Sequence, residues 1–438
     1  MKQARIIGAG LAGTLMGILL AQKGWEVEIY EKRGDMRKEA VQQGRSINLA
    51  LSARGLHALK QAGAADTILK RAIPMKGRMI HDLNGRISFQ PYSPHESDSL
   101  YSVSRQGLNI ELLNFLERER NAKIFFHHKC LGLNLKNNEI LFEQEEGVVK
   151  SVSARFVIAA DGAHSAVRQE LQKLDRFQYH QDYLEWGYKE LTIPAGQNNS
   201  FLLEKNALHI WPRHNFMLIA LPNQDGSFTC TLFLPFDEES SFSKLKTESD
   251  LVTFFKSQFQ DALPLMPTLT QDFFQNPTGS LIYLSCFPWR YKDLVVLLGD
   301  ACHAVVPFYG QGMNAAFEDC VVLDRCLQQA NDDLQRALAN YEQERKANTD
   351  ALAKLSLQNF VEMRDKVVSR WFRIKKKTEH ILEKLLPSQF ISLYSMVSFS
   401  LIPYAQAVKK NRKQEMVLKY GITGFILFAI SVLFFFLK

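Results

Sequence analysis

A glycine turn between a strand and a helix at the start of this 438-residue chain limits its fold most. Ala4 to Ile7 is short and mostly apolar, as a first strand should be. Gly8-Ala9-Gly10-Leu11-Ala12-Gly13 follows at once, and Leu11 to Lys23 places Leu11, Leu15, Ile18 and Leu19 at helical spacing. Gly8 permits a tight turn, Gly10 lets the backbone approach a phosphate, and Gly13 lets the helix pack on the strand. The helix start offers free N–H groups and a positive dipole end to a pyrophosphate. Glu26 to Tyr30 reads as the second strand. Glu31 ends it, 18 residues after Gly13, with a carboxylate that can accept from ribose hydroxyls. A glycine turn alone is weak evidence. With the strand, the helix and the acid in place, it predicts a dinucleotide-binding βαβ unit.

Two later segments repeat the theme. Phe156 to Ala160 and Leu294 to Leu298 are continuous apolar runs, as buried parallel strands are. The first delivers Asp161-Gly162-Ala163-His164-Ser165-Ala166-Val167-Arg168. The second delivers Gly299-Asp300-Ala301-Cys302-His303-Ala304-Val305-Val306-Pro307. Each run ends in a Gly/Asp turn, where ligands meet the carboxyl ends of a parallel sheet. Asp300 can accept from a ribityl hydroxyl. Gly310-Gln311-Gly312-Met313-Asn314 then opens a helix whose N–H groups can meet the pyrimidine end of a flavin. Cys302 reads as a small apolar residue, with no thiol chemistry implied.

In this order the three segments resemble the aromatic-ring hydroxylases that use FAD and NADPH. A further segment, Gly44-Arg45-Ser46-Ile47-Asn48-Leu49-Ala50-Leu51-Ser52-Ala53-Arg54-Gly55, is similar to the signature of the kynurenine 3-monooxygenase family. The resemblance continues through Pro74 to Asp82, Ser102 to Arg105, Leu208 to Arg213, Phe228 to Phe236, Pro307 to Asp319 and the hydrophobic tail. It implies hydroxylation of L-kynurenine to 3-hydroxykynurenine, in tryptophan degradation. FAD stays bound, NADPH reduces it as a transient co-substrate, and O₂ gives a C4a-hydroperoxyflavin that transfers one oxygen. The single Rossmann fingerprint agrees with an NADPH that has no nucleotide domain of its own. By the resemblance, Arg78 and Tyr92 hold the substrate carboxylate, through bidentate charge-assisted bonds and a neutral hydroxyl donor. Asn359 and Tyr394 match further substrate positions. Besides Gly8, Gly10 and Gly13, the residues matching cofactor positions are Ala12, Tyr30, Glu31, Lys32, Arg33, Ala50, Arg105, Leu131, Ala166, Asp300, Met313 and Asn314. No catalytic residue beyond the flavin is required, because the aminophenyl ring is activated by its own amino group. The substrate wall is expected to be largely apolar, with Pro307, Phe308 and Tyr309 as candidates.

The six cysteines stand singly, without a CxxC pair, which argues against a zinc site or a disulfide framework. No metal is expected. No signal peptide is read before the first strand. The chain carries a net +7, yet residues 370–419 alone hold eleven Lys/Arg and three Glu. The basic excess therefore belongs to the C-terminal region, and nucleic acid is not an expected partner. Gly421 to Leu437 is 17 residues without a charge. As a helix it would be about 26 Å long, close to the roughly 30 Å of a hydrocarbon core. The Lys409-Lys410-Asn411-Arg412-Lys413 cluster before it favours a cytoplasmic face and anionic lipids. A C-terminal membrane anchor with the catalytic body in the cytoplasm is expected.

The fold class expected is α/β: a Rossmann-type FAD-binding domain, a β-sheet substrate domain, C-terminal helices and a C-terminal transmembrane helix. The flavin domain should be discontinuous, at 1–74, 102–175 and 286–330. The substrate domain takes 75–101 and 176–285, helices fill 331–415, and the anchor spans 420–437. Strand-like runs at 191–194, 208–211, 217–221 and 228–236 include a hairpin signal at Asn223-Gln224-Asp225-Gly226. Two other readings stay open. One is an FAD-dependent hydroxylase or epoxidase of a lipophilic substrate, which needs no Arg78. The other is a membrane-tethered flavoprotein with a redox-signalling role.

Overall fold

A computed structural model describes residues 2–38, 48–144, 147–366 and 369–418. Positions 44–47 of the signature and the segment 420–437 read as an anchor lie outside the described residues. Among the described residues, no helix is long and apolar enough to cross a membrane.

The apolar runs become a six-stranded sheet. Its order is Arg290–Tyr291, Val295–Leu297, Val157–Ala159, Gln3–Ile7, Glu26–Tyr30 and Ala122–Phe125. All neighbours pair in parallel except Arg290–Tyr291. Val157–Ala159 and Val295–Leu297 are buried throughout, as strands covered on both faces must be. Register aligns Ile7 with Ala159 and with Tyr30, and Ala159 with Leu297. The three glycine and aspartate turns therefore leave the sheet side by side along one edge. Gln3–Ile7 has neighbours on both sides, so the crevice opens where the strand order reverses.

The second large sheet runs Gly279–Phe287, Gln178–Ile193, Phe228–Pro235, Phe216–Pro222, Ala207–Arg213, Gly77–His81 and Ile87–Pro91. Its two faces do different work, as strand alternation requires. Phe216, Leu218 and Ala220 pack outward with Leu251, Phe255 and Phe273 of the helices Glu248–Gln258 and Leu269–Gln275. Met217 and Phe233 point the other way, into a cluster with Phe308, Phe360 and Met363. The hairpin at 223–226 is present, joining two of these strands. Sequence reading caught only the end of Gln178–Ile193, because its first half is largely exposed and polar. It also missed Glu248–Gln258, although Thr247 and Asp250 form a reciprocal capping box there.

Beyond residue 331 the chain is helical, in Leu334–Val361, Arg370–Leu385, Leu393–Ser398 and 404–418. These helices return to both sheets. Arg54, from the signature, donates to Glu318 at 2.6 Å and lies 4.0 Å from the Tyr404 ring centroid. Arg345 of the long helix donates to Asp319 and Glu318, each at 2.6 Å. His303 from the third motif also meets Asp319, at 2.5 Å. This buried ion network ties the third motif to the C-terminal helices.

Candidate active site

A cavity of ≈ 720 Å³ runs from the glycine turn to the inner face of the second sheet. Its first end is shaped by backbone. Gly8 has φ +100°, and a Cβ there would lie 2.6 Å from the Ala160 carbonyl oxygen. A Cβ on Gly13 would meet the Gly8 carbonyl oxygen at 2.0 Å, so only glycine lets this helix sit so close. A Cβ on Gly10 would meet nothing within 4 Å. That space lies at the start of the helix Leu11–Gln22, where N–H groups await an anion. Glu31 is buried and already engaged: it accepts from Ala9 N at 2.9 Å and from Arg33 Nε at 2.7 Å. Burial alone would raise its pKa, but the bonds and charge of Arg33 outweigh it and hold the carboxylate below its usual range. Asp300 is exposed at the cavity wall, open to accept from a hydroxyl. Arg105 stands at the first turn of Arg105–Leu116, exposed beside the cavity.

The other end is lined by side chains. Met217, Ile219 and Leu221 alternate along one strand, and Thr231 and Phe233 along its neighbour, all facing the cavity. Phe308 stacks on Phe360 with centroids 4.0 Å apart and closes the wall. One cation sits in this apolar surface. Arg78 is buried, and its register partner across the sheet is Leu208. Its guanidinium lies 5.1 Å from the Tyr394 ring centroid and 5.6 Å from that of Tyr92. Among the described residues no carboxylate reaches ion-pair distance of it. Arg78 Nε and the Tyr92 hydroxyl are buried without a hydrogen-bond partner. Tyr92 and Tyr394 stack at 5.4 Å, and Tyr309 stacks on Tyr394 at 5.8 Å. Burial pushes the hydroxyl pKa of Tyr92, Tyr394 and Tyr309 upward, so all three remain neutral donors.

Of the cofactor and substrate positions matched from sequence, fifteen line this one cavity: Gly8, Gly10, Ala12, Tyr30, Glu31, Lys32, Arg33, Ala50, Arg105, Ala166, Asp300, Met313, Arg78, Tyr92 and Tyr394; the wall candidates Pro307, Phe308 and Tyr309 line it too. Gly13, Leu131, Asn314 and Asn359 stand outside its lining. Gly13 acts through the close helix contact. Asn314 is buried behind the wall, donating to Ala50 O at 2.9 Å and Gly310 O at 2.8 Å, and accepting from Ser52 N at 2.9 Å. Asn359 donates to Phe308 O at 2.7 Å, holding the apolar wall from behind. Leu131 is exposed, next to the lining residues Lys129 and Cys130. Sequence reading missed Met217, Ile219, Leu221, Thr231 and Met363. The signal was there for the first four, in the odd-numbered alternation of two adjacent strands.

The parallel sheet with its edge of glycine turns, and a cavity roofed by a second sheet, define an FAD-binding enzyme. The FAD binding domain family matches residues 1–356. Solved structures share the fold: a tetrameric 2-methyl-3-hydroxypyridine-5-carboxylic acid oxygenase aligns with TM-score 0.68 at 19% identity, covering 87% of this chain and 98% of that one. A p-nitrophenol 4-monooxygenase from Pseudomonas putida aligns with TM-score 0.66 at 16% identity, over 87% and 94% of the two chains. Closer likeness comes from kynurenine 3-monooxygenases. That of Dictyostelium discoideum is 48% identical over 97% of this chain and 94% of its own, and that of Sus scrofa 44% over 96% and 88%. The chain belongs to the kynurenine 3-monooxygenase family.

Proposed function

We propose that this chain is a flavin-dependent monooxygenase that hydroxylates L-kynurenine to 3-hydroxykynurenine with FAD, NADPH and O₂, in tryptophan degradation. One observation carries the substrate class. A buried guanidinium with no carboxylate partner is costly unless a ligand supplies the anion. Arg78 and the unpartnered Tyr92 hydroxyl stand together in an otherwise apolar wall. An aromatic amino acid satisfies both: its carboxylate pairs with Arg78 and Tyr92, and its ring occupies the apolar end. A neutral lipophilic substrate would leave the charge unpaired.

The residues fit FAD at the other end. Gly10 would leave room for the pyrophosphate, Lys32 and Arg33 would hold the nucleotide part, and Asp300 would accept from a ribityl hydroxyl. Ala166, Met313 and Ala50 would border the ring, with Asn314 holding Ala50 in place. Bound FAD, once reduced by NADPH, supplies the O₂ chemistry. The chain's own part is to orient and to exclude water. Arg78 and Tyr92 fix the carboxylate, Tyr394 packs over them, and Asn359 steadies Phe308 against the ring. On this reading the flavin domain comprises 1–74, 102–175 and 286–330, and the substrate domain 75–101 and 176–285. The uncharged run Gly421 to Leu437 serves as a membrane anchor, and its basic flank keeps the catalytic body on the cytoplasmic side.

Anaerobic reduction by NADPH, with and without L-kynurenine, tests the reaction. Fast flavin reduction only with kynurenine, and an aerobic product heavier by one oxygen atom, is the expected result. A flavin indifferent to kynurenine would overturn the substrate assignment.

A further inference from the structure

The two helices that precede the uncharged run sort their charges by face. On Arg370–Leu385, Ile374, Lys377, Thr378, Ile381, Lys384 and Leu385 are exposed, at offsets of three, four, seven, ten and eleven from the first, while the exposed Lys375 lies to one side of them. That is one stripe of a helix. On residues 404–418 the exposed Lys409, Arg412, Lys413, Met416 and Val417 fall on a single stripe in the same way, with the exposed Glu415 off that stripe and facing Lys375. Neither stripe contains an acid. The acids of the first helix turn elsewhere: Glu383 is buried and accepts from Ser392 N at 3.3 Å, and Glu379 lies 3.2 Å from Lys376.

The apolar members are unusually open for a packed protein. Ile381 is 49% exposed, Leu385 and Val417 are each 71%, and Met416 is 52%. Lys375 lies 3.4 Å from Glu415, so the start of one helix stands beside the end of the other. Four residues after Val417 begins the 17-residue run without a charge. An apolar stripe interleaved with lysines and free of acids suits the boundary between acyl chains and anionic head groups.

We propose that these two stripes form one docking surface that lies in the interface of an anionic bilayer, with the helix Arg370–Leu385 parallel to the membrane. This rests on the anchor reading of the run Gly421 to Leu437 and goes beyond it. The anchor supplies attachment; the stripes fix how the catalytic body sits. Along the chain the surface is flanked by cavity-lining residues: Met363 precedes it, and Tyr394 separates its two helices. Docking therefore orients the cavity relative to the lipid.

The test uses the full chain with a fluorescent amino acid placed at Ile381 or, separately, at Ala429 in the uncharged run. Each is mixed with vesicles of phosphatidylcholine, alone or with about 30 mol % phosphatidylserine, carrying lipid-borne quenchers at shallow or deep positions. The expected result is shallow quenching at Ile381, at least about threefold stronger with phosphatidylserine, and deep quenching at Ala429. The double variant Lys377→Glu and Lys384→Glu should abolish the Ile381 quenching and leave the Ala429 quenching intact. Deep quenching at Ala429 with Ile381 still open to aqueous iodide would overturn the docking surface and keep the anchor. Loss of quenching at both positions would overturn both. Shielding of Ile381 from iodide without vesicles would mean that the run folds back on it, or that a second copy covers it, and would also overturn the proposal.

Discussion

The two ends of the cavity are built by opposite means. At the end proposed to hold the flavin the backbone makes the site, and the decisive feature is where side chains are missing: Gly8, Gly10 and Gly13. At the end proposed for the substrate the backbone is an ordinary sheet, and the site is made by what its side chains present, an apolar wall in which Arg78 has no ion-pair partner among the described residues. A backbone site is fixed by folding itself. A side-chain site is held at a cost in stability, because its polar groups await a partner. Substitutions at the two ends should therefore move stability and activity in different combinations.

The largest effect belongs to the flavin end. Gly13→Val places atoms where even a Cβ would lie 2.0 Å from the Gly8 carbonyl oxygen. It should cost more than the roughly 1–3 kcal/mol of ordinary overpacking and yield protein without FAD. Gly10→Ala provides the contrast, since its Cβ meets nothing within 4 Å. The apoprotein should unfold within about 0.5 kcal/mol of the parent, while FAD titration shows weakened binding. If Gly10→Ala bound FAD normally, the space beside Gly10 would not be the phosphate site.

Arg78→Met should reverse the signs at the other end. Loss of charge-assisted bonds worth about 1.5–3 kcal/mol each should lower kcat/KM for kynurenine by roughly 10²–10³. Stability without substrate should hold or rise by up to about 1 kcal/mol, because a buried charge with no ion-pair partner among the described residues, favoured only at a distance by Glu362, is gone. Steady-state kinetics and urea unfolding of the holoenzyme read the two effects. A variant that lost stability and kept activity would show that Arg78 is a structural ion.

A polar network behind the same sheet gives a third contrast. His209 is buried, 2.9 Å from Glu204 O and 2.9 Å from His81, which in turn lies 2.6 Å from Asp261. Burial pushes the His209 pKa down to about 4 from 6.5. The unfolded chain then binds the extra proton between these values, so stability is full above about pH 6.5 and falls as pH drops toward 4. The loss should approach about 3 kcal/mol. His209→Gln, which keeps an amide donor for Glu204 O, should flatten that part of the pH–stability curve. Parallel curves for parent and variant would remove His209 as the cause.

Much of the glycine-turn end of the cavity was legible in sequence because features built by backbone leave short, local marks. The strand Glu26–Tyr30 was read to the residue, and the turns after Val157–Ala159 and Val295–Leu297 were placed correctly. The substrate end was less legible, because its parts meet only through the sheet. Nothing local connects Arg78 to Leu208, 130 positions on, although they are register partners. Arg78, Tyr92 and Tyr394 came from resemblance to a family, and each alone reads as a packing or surface residue. Asn359 and Asn314 show a further limit: sequence marked them, but only the structure places them behind the wall, acting on Phe308 and Ala50. The long strand Gln178–Ile193 escaped because exposed polar residues mask its alternation.

The smallest effect is the most discriminating. Tyr92→Phe keeps the ring stacked on Tyr394 and removes only a hydroxyl that is buried without a partner. Since that hydroxyl makes no hydrogen bond among the described residues, stability should hold or rise by up to about 1 kcal/mol. Kynurenine should lose about one hydrogen bond, roughly tenfold in kcat/KM, expressed in KM because the carboxylate lies away from the reacting carbon. The amine analogue that lacks the carboxylate sharpens this. If Tyr92 acts on the carboxylate, parent and variant should bind that analogue alike, and the two changes should not add. A tenfold loss that persisted with the analogue would move the hydroxyl's partner to another part of the substrate. It would also break the pairing of Tyr92 with Arg78 on which the side-chain half of the site depends.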